Sequence, residues 1–337
     1  MKHNFQQDLK GDGMMYQRAL GEKMFKDFQE GGVLHKLLTY VQNDDTLDLE
    51  FRGENSASIY YRGGSLFEIT QKKDGKSYTL KFNTDYQTRN KTPLTSPTSL
   101  AQAVADILLY KDAIDYHRAQ KGNHAYEDEF RQVVVRENNG HGDISRASDY
   151  YIADLDYPYN RMLGTQSRVK FDMIAVKWLS TPSARKNVGA PTLSVIEMKY
   201  GDSALKQEDR NDVRKKKSGM LDHLDDFADF FVHANMNDVC ADITEVFRQK
   251  CRLGLISKVE DYNIDNITIS KENIEFVFLL ANHDPASKVL REVVHAIAQK
   301  GYPFPIKFAA SSMMGYALYA DQMKSLAEMQ EILSSKA

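Results

Sequence analysis

Two short stretches constrain this chain more than anything else in it: VKFDMIAVKW at 169–178 and TLSVIEMKYG at 192–201, separated by a polar loop holding Pro182, Gly189 and Pro191. Each alternates with the period of two that places successive side chains on opposite faces of a strand. Asp172 then shares a face with Ile174, Val176 and Trp178, while Glu197 and Lys199 share one with Leu193 and Val195. Ionisable residues at the ends of otherwise apolar faces predict an antiparallel hairpin whose charged end lies at the edge of a buried sheet. Folding the pair about residue 185, midway through the loop, sets position 172 opposite 198 and brings Asp172 beside Glu197 and Lys199.

Two carboxylates and a lysine converging at the edge of a buried face are unfavourable without a cation or mutual pairing. A divalent metal is the simplest compensation. Asp172 and Glu197 offer the hard oxygen ligands suited to Mg2+ or Mn2+, with the backbone carbonyl of Met198 as a third. Lys199 would orient or help deprotonate a water and offset charge growing on a phosphorane-like transition state. These parts suit phosphodiester hydrolysis. The bland alternative is a cross-strand salt-bridge cluster on a solvated face, which the apolar neighbours argue against.

Asp172 followed after 24 intervening residues by Glu197-Met198-Lys199 resembles the Asp…Glu-x-Lys signature of the PD-(D/E)XK nuclease superfamily. In that family an acidic residue lies early in one strand and Glu-x-Lys closes its hairpin partner. A preceding helix commonly carries a further glutamate, and Glu127 or Glu129 in YEDEFRQVVVRENN occupies that position; Glu129 is taken as the catalytic acid and Glu127 as accessory. Either acid also suits a first helical turn through the macrodipole alone. Asp156 in DLDYPY resembles an acidic-aromatic strand of some members, whereas Asp154 reads as strand-end punctuation. Ser218-Gly219 and His223 stand where related nucleases begin the next core helix. The resemblance spans about residues 120–310, and departs from the family name in having Phe171 before Asp172. It implies a restriction-endonuclease-like α/β (α+β) core with a mixed central sheet flanked by helices, a DNA endonuclease of restriction or defence type using Mg2+ or Mn2+, and a homodimer that supplies two sites for double-strand cleavage.

The chain around this segment divides near residue 95. Before it, a helix over about 14–29 precedes strand-like runs at 47–51, 59–61 and 78–82, with Asp74-Gly75 as a turn signal; this is a helix and antiparallel β-meander module for recognition or dimerisation over 1–95. A polar stretch over 85–99, with Pro93 and Pro97, leads to the nuclease-like domain at 96–337. That domain opens with a helix capped by Ser99 and running towards Ala119, followed by a helix or strand over 126–136. A strand over 150–157 joins the two above. Helices over 219–234, 236–252, 285–299 and 320–334 then alternate with strands over 275–281 and 305–310.

Composition narrows function by exclusion. With 337 residues and 42% hydrophobic content the chain can bury a large core, and 44 basic against 47 acidic side chains give it no global field for a polyanion. Cys240 and Cys251 support neither a disulfide framework nor a zinc site, which points to a reducing cytoplasm. No apolar run of membrane-spanning length occurs, so neither export nor a membrane partner is expected. The absence of GxxxxGK[ST] and of a post-strand GxGxxG leaves ATP-driven and dinucleotide chemistry unsupported. The basic run Arg214–Lys217 could meet phosphates or be solvated surface, and the stripe Leu224, Phe227, Phe230, Phe231 reads as core. A catalytically silent nucleic-acid-binding or scaffold protein of the same fold is the alternative, and a small-molecule phosphohydrolase a further rival.

Overall fold

The computed structural model describes residues 17–86, 88, 92–120, 126–140, 148–160, 168–187, 191–206, 219–257, 259, 262–282, 287–311 and 323–334. Its first elements are the helices α1 (Glu22–Phe28) and α2 (His35–Gln42), then the strands β1 (Leu47–Gly53), β2 (Ser56–Tyr61), β3 (Gly64–Gln71) and β4 (Tyr78–Lys81). These strands form a four-stranded antiparallel meander in sequence order. The turn at Asp74-Gly75 forms as expected: Asp74 accepts the N–H groups of Lys76 and Ser77, and Gly75 takes φ +64°, which costs glycine nothing.

The first helix is shorter than the periodicity predicts. The N–H groups of Arg18 and Ala19 donate to the Asp242 carboxylate and that of Leu20 to Gln249 Oε1, so this stretch spends its amides on a distant helix instead of its own turns. Helices α3 (Leu100–Ala105) and α4 (Ile107–Gln120) replace the single helix expected there. Ser99 caps the first of them, its hydroxyl accepting from Gln102 N–H, and Asp106 breaks the two apart. The ambiguous 126–136 segment is helix α5 (Tyr126–Asn139).

The central sheet follows: β5 (Tyr150–Asn160), β6 (Arg168–Lys177), a short helix α6 (Pro182–Asn187), and β7 (Thr192–Tyr200). Then come α7 (Met220–His233), α8 (Met236–Arg252), β8 (Ile274–Ala281), α9 (Lys288–Lys300), β9 (Ile306–Ser311), β10 (Lys324–Ser325) and α10 (Leu326–Ser334). Six strands run in the order β10-β9-β8-β7-β6-β5. β5, β6 and β7 are antiparallel neighbours, whereas β7, β8 and β9 are parallel, so the sheet is mixed and the chain is α/β. The parallel step from β7 to β8 requires a crossover, and α7 and α8 supply it.

Alternation divides the packing between two layers. Ile152, Met173, Ala175, Ile196, Met198, Val277 and Leu279 meet Val134 and Val135 of α5 on one face. Ile174, Val176, Leu193, Val195, Phe276 and Phe278 meet Leu224, Phe227, Ile243, Phe247 and Leu290 on the other. That second core is continuous with Phe28, Phe51, Ile59 and Phe67 of the amino-terminal helices and meander, so residues on both sides of position 95 share one hydrophobic cluster. The stripe Leu224, Phe227, Phe230 belongs to it, Phe227 contacting Phe276 at 5.0 Å, and each such buried ring contributes about 1.5–3 kcal/mol. No helix of the described residues is long and apolar enough to cross a membrane.

Candidate active site

The register of β6 against β7 decides whether the charged residues meet. The ladder runs from Lys177↔Thr192 to Met173↔Ile196, and one further step sets Asp172 across from Glu197, not from Met198. The correction matters because directly opposed residues share a face, and a slip of one residue exchanges the faces of a whole strand. With 172 opposite 198, Asp172 would face away from Glu197 and Lys199; as observed, all three lie on one face. The connection inside the last pair, Lys177↔Thr192, centres between residues 184 and 185, so a fold centred on residue 185 is off by one position. The ladder ends where it does because Asp172 Oδ2 accepts the Met198 N–H at 2.9 Å, a side chain taking the place of a backbone acceptor.

Asp172, Glu197 and Lys199 are all deeply buried, at 9%, 2% and 4% exposure. Lys199 Nζ donates to Glu197 Oε1 at 2.8 Å. From α7 on the same side, His223 Nε2 approaches that oxygen at 3.0 Å, so this accessory candidate lies against Glu197. Glu197 Oε2 is buried and has no hydrogen-bond partner among the described residues. An orphaned buried carboxylate oxygen is costly.

From the other layer, the first turns of α5 reach the same sheet edge. Successive helical residues are separated by about 100°, so Glu127 and Glu129 cannot face the same way. Glu127 is the one directed to the cluster: burial and the charges of Asp172 and Glu197 push its carboxyl up to about 7 against the pull of Lys199. Glu129, expected to complete the cluster, pairs instead with Arg62 of the β2–β3 turn at 2.8 Å. Arg131, one turn beyond Glu127, lays Nη1 on Asp172 Oδ1 at 2.7 Å and on Asp156 Oδ1 at 2.9 Å, and Nη2 on Asp128. Asp156 takes φ +57°, a left-handed conformation in mid-strand that aspartate tolerates better than most residues, and it also faces Lys170 at 3.2 Å. Burial works against its charge, yet Arg131, Lys170 and Arg52 hold its carboxyl below the ordinary value.

Protonation differs across this site. Burial, reinforced by Asp172 and opposed by Lys199, pushes Glu197 up to about 7. Burial alone would discharge Lys199, but the charges of Glu197, Asp172 and Glu127 raise its ammonium above the usual range. Lys199 is therefore held as a cation against these carboxyls. Burial and the charge of Lys199 press His223 down to about 4, leaving the ring neutral at pH 7.

The donor chemistry suits a hard divalent cation in part. Asp172 and Glu197 are oxygen donors on one face, and Glu197 Oε2 is the orphan such an ion would satisfy. Met198, expected to offer its backbone carbonyl, donates its N–H to Asp172. Among the described residues no group of three or more His, Cys, Asp or Glu side chains is gathered closely enough to hold a metal ion, and Arg131 already covers Asp172 Oδ1. Asp154 turns away into ion pairs with Arg18 and Arg52, both at 2.8 Å, as befits a structural acid. The basic run Arg214–Lys217 and Ser218 lie outside the described residues. Arg131 is the site residue that sequence reasoning overlooked, and its spacing of three from Asp128 and four from Glu127 was the available signal.

Comparisons with known proteins find nothing similar: no family model, no curated protein and no solved structure matches this chain.

Proposed function

We propose that this chain is a metal-dependent nuclease that hydrolyses phosphodiester bonds, a DNA endonuclease of the restriction or defence kind. The observation that carries the reading is the convergence of Asp172, Glu197 and Lys199 on one face at the end of β6 and β7, with Glu197 Oε2 buried and unpartnered. The order of elements supports it. A helix bearing Glu127 precedes an antiparallel strand pair carrying Asp172 and Glu197-Met198-Lys199, and His223 opens the helix that follows, as in the PD-(D/E)XK nucleases that this segment resembles.

Asp172 and Glu197 would hold the ion, Mg2+ or Mn2+, with Glu127 beside them. Such an ion supplies Lewis acidity towards a phosphoryl oxygen and acidifies a bound water. Glu197 would hold the ion as its carboxylate, so ion binding would release to solvent the proton that burial favours and would tighten as pH rises. Lys199, held as an ammonium against Glu197, orients the attacking water and offsets charge developing on the phosphate. Arg131 must yield Asp172 Oδ1, which frees a guanidinium for a phosphate oxygen. A second copy of the chain would supply the second site that double-strand cleavage needs.

One observation favours a second reading. Arg131 and the Met198 N–H already occupy both oxygens of Asp172, an arrangement that a catalytically silent nucleic-acid-binding protein of this fold would also show. Turnover separates the two. Supercoiled plasmid and single-stranded RNA, each incubated with magnesium, manganese or chelator, should reveal metal-dependent cleavage of the DNA that Lys199→Ala abolishes. Binding without cleavage under every condition would overturn the nuclease and leave the silent protein.

A further inference from the structure

One turn of the amino-terminal meander lies against the helix that serves the candidate site. Tyr61 and Gly64 pair across the ends of β2 and β3, which leaves Arg62-Gly63 as a two-residue hairpin connection, at φ +47° and +71°. Two positive φ values in succession suit asparagine and glycine, and arginine is held at the first of them against its backbone preference.

This tip is wedged between two helices. On the α4 side, Tyr61 Oη and Arg62 Nη1 both donate to the Asp115 carboxylate, at 2.9 and 2.8 Å, and a Cβ built on Gly64 would stand 3.2 Å from the Ile114 side chain. On the α5 side the approach is backbone to backbone. A Cβ on Gly63 would lie 2.5 Å from the carbonyl carbon of Asp128, where ordinary contact begins at 3.4 Å. The Gly63 N–H donates to Gln132 Oε1 at 2.7 Å, and the buried Gln132 returns Nε2 to the carbonyls of Tyr60 and Thr46 at 3.1 and 2.9 Å.

Asp128 and Gln132, four residues apart, form the flank of α5 that meets the tip. Glu127 and Arg131, each one residue earlier, form the neighbouring flank, about 100° round the helix. That flank faces Asp172 and Glu197. Asp128 joins the two by holding Arg131 Nη2. Farther along, α5 is fixed by the sheet: Val134 and Val135 pack on it, and Asn139 exchanges two hydrogen bonds with Ile152, at 2.7 Å each. The side chains of 127–131 are only partly buried. Phe130 rests on Tyr200 there, and stacked rings tolerate sliding where hydrogen bonds of fixed direction do not.

We propose that the Arg62-Gly63 tip is a positioning element for the candidate site: Gly63 and Gln132 fix the first turns of α5 so that Glu127 and Arg131 meet Asp172 and Glu197. This role rests on the nuclease reading and deepens it by giving the meander a part in the site beyond recognition or dimerisation. Arg62 itself, in half-exposed pairs with Asp115 and Glu129, contributes little.

The test compares Gly63→Ala with Gly75→Ala in the full-length protein. Gly75, at the next hairpin of the same meander, takes φ +64° with nothing within 4 Å of a built Cβ, so its substitution brings backbone strain without pressing on α5. Arginine side-chain 15N NMR reports Arg131, because a guanidinium held on carboxylates keeps resolved Nη–H signals that a free one loses to exchange with water; Arg131→Met assigns them. Plasmid cleavage with magnesium gives kcat and KM. Relieving the Gly63 contact from 2.5 to 3.4 Å displaces the helix turn by about 0.9 Å. Gly63→Ala should lose the Arg131 signals and lower kcat by on the order of 100-fold, with KM within about twofold. Gly75→Ala should match wild type in both. Gln132→Met, which removes the hydrogen bonds without adding bulk, should lower kcat about tenfold and decides the matter if Gly63→Ala does not fold. Wild-type signals and kcat in every folded variant, or an equal loss in Gly75→Ala, would overturn the positioning role and leave the nuclease reading standing. A wild type that cleaves nothing, with the Arg131 signals lost in Gly63→Ala and kept in Gly75→Ala, would retain the positioning of α5 and remove the nuclease.

Discussion

Two buried charge networks in this protein look alike by burial and differ in balance. One joins the meander to the central sheet and α8. Arg18 and Arg52 flank Asp154 at 2.8 Å each, and Lys250 meets Glu50 at 2.7 Å with Asp48 close by, so three cations stand among these three carboxyls. The other, at the ends of β6 and β7, gathers Asp172, Glu197, Glu127, Asp156 and Asp128 around Lys199, Arg131 and Lys170, with His223 neutral, so its carboxyls outnumber its cations. Each holds a glutamate pushed far up by burial, Glu50 to about 8 and Glu197 to about 7. Each also holds an orphaned carboxylate oxygen, on Asp48 and on Glu197. A perturbed carboxyl thus does not by itself mark a site. Uncompensated charge at the open end of a sheet, where side chains from both layers meet, is what separates a candidate for chemistry from a device that docks one part of the chain on another.

The widest expected gap between the two lies in catalysis. Lys199→Ala and Asp172→Ala should each lower plasmid cleavage by a factor on the order of 1,000, about 4 kcal/mol in transition-state stabilisation, while circular dichroism shows the fold retained. Full cleavage by both variants would remove the site. In the balanced network the effect should be on stability instead. Asp154→Asn leaves two buried guanidiniums without their anion and should cost about 3 kcal/mol in urea unfolding, with cleavage per folded molecule unchanged.

Charge excess makes the opposite prediction at the candidate site. Glu197 moves from an ordinary value of 4.5 to about 7 on folding, so between these pH values the folded state keeps a proton that the unfolded state has released. Its contribution to stability therefore falls as pH rises through that window. Glu197→Gln should stabilise the protein by on the order of 2 kcal/mol at pH 8 and by almost nothing at pH 4. An equal effect at both values would show that the carboxyl is not uncompensated.

Smaller effects sharpen the boundary of the site. Arg131→Met removes the guanidinium that covers Asp172 Oδ1 and should tighten Mn2+ binding, measured calorimetrically, by about tenfold. Glu129→Gln, which touches only the half-exposed pair with Arg62, should change stability by less than about 0.5 kcal/mol and leave Mn2+ affinity unaltered.

Much of this was legible in the amino-acid sequence because it is local. Strand alternation exposed the charged ends of β6 and β7, and turn and cap chemistry located Asp74-Gly75 and Ser99. The two layers followed from the order of apolar periods. Misreadings arose where a residue's partner is distant. The chain at 17–21 is not helical because Asp242 and Gln249, more than 200 residues away, take its amides, and Asp154 meets Arg18 across 136 residues.

What the sequence determined by itself is the inventory: a mixed α/β chain, a hairpin with acids and a lysine at one end, and a helix with several acids ahead of it. The tertiary structure alone decided which of them meet. Register set Asp172 on the face of Glu197 and Lys199, helical phase sent Glu127 inward and Glu129 to Arg62, and the approach of α5 to the sheet edge put Arg131 on Asp172. Periodicity fixes a side chain's direction relative to its own element, whereas the pairing of elements depends on packing and loop geometry that no local pattern encodes.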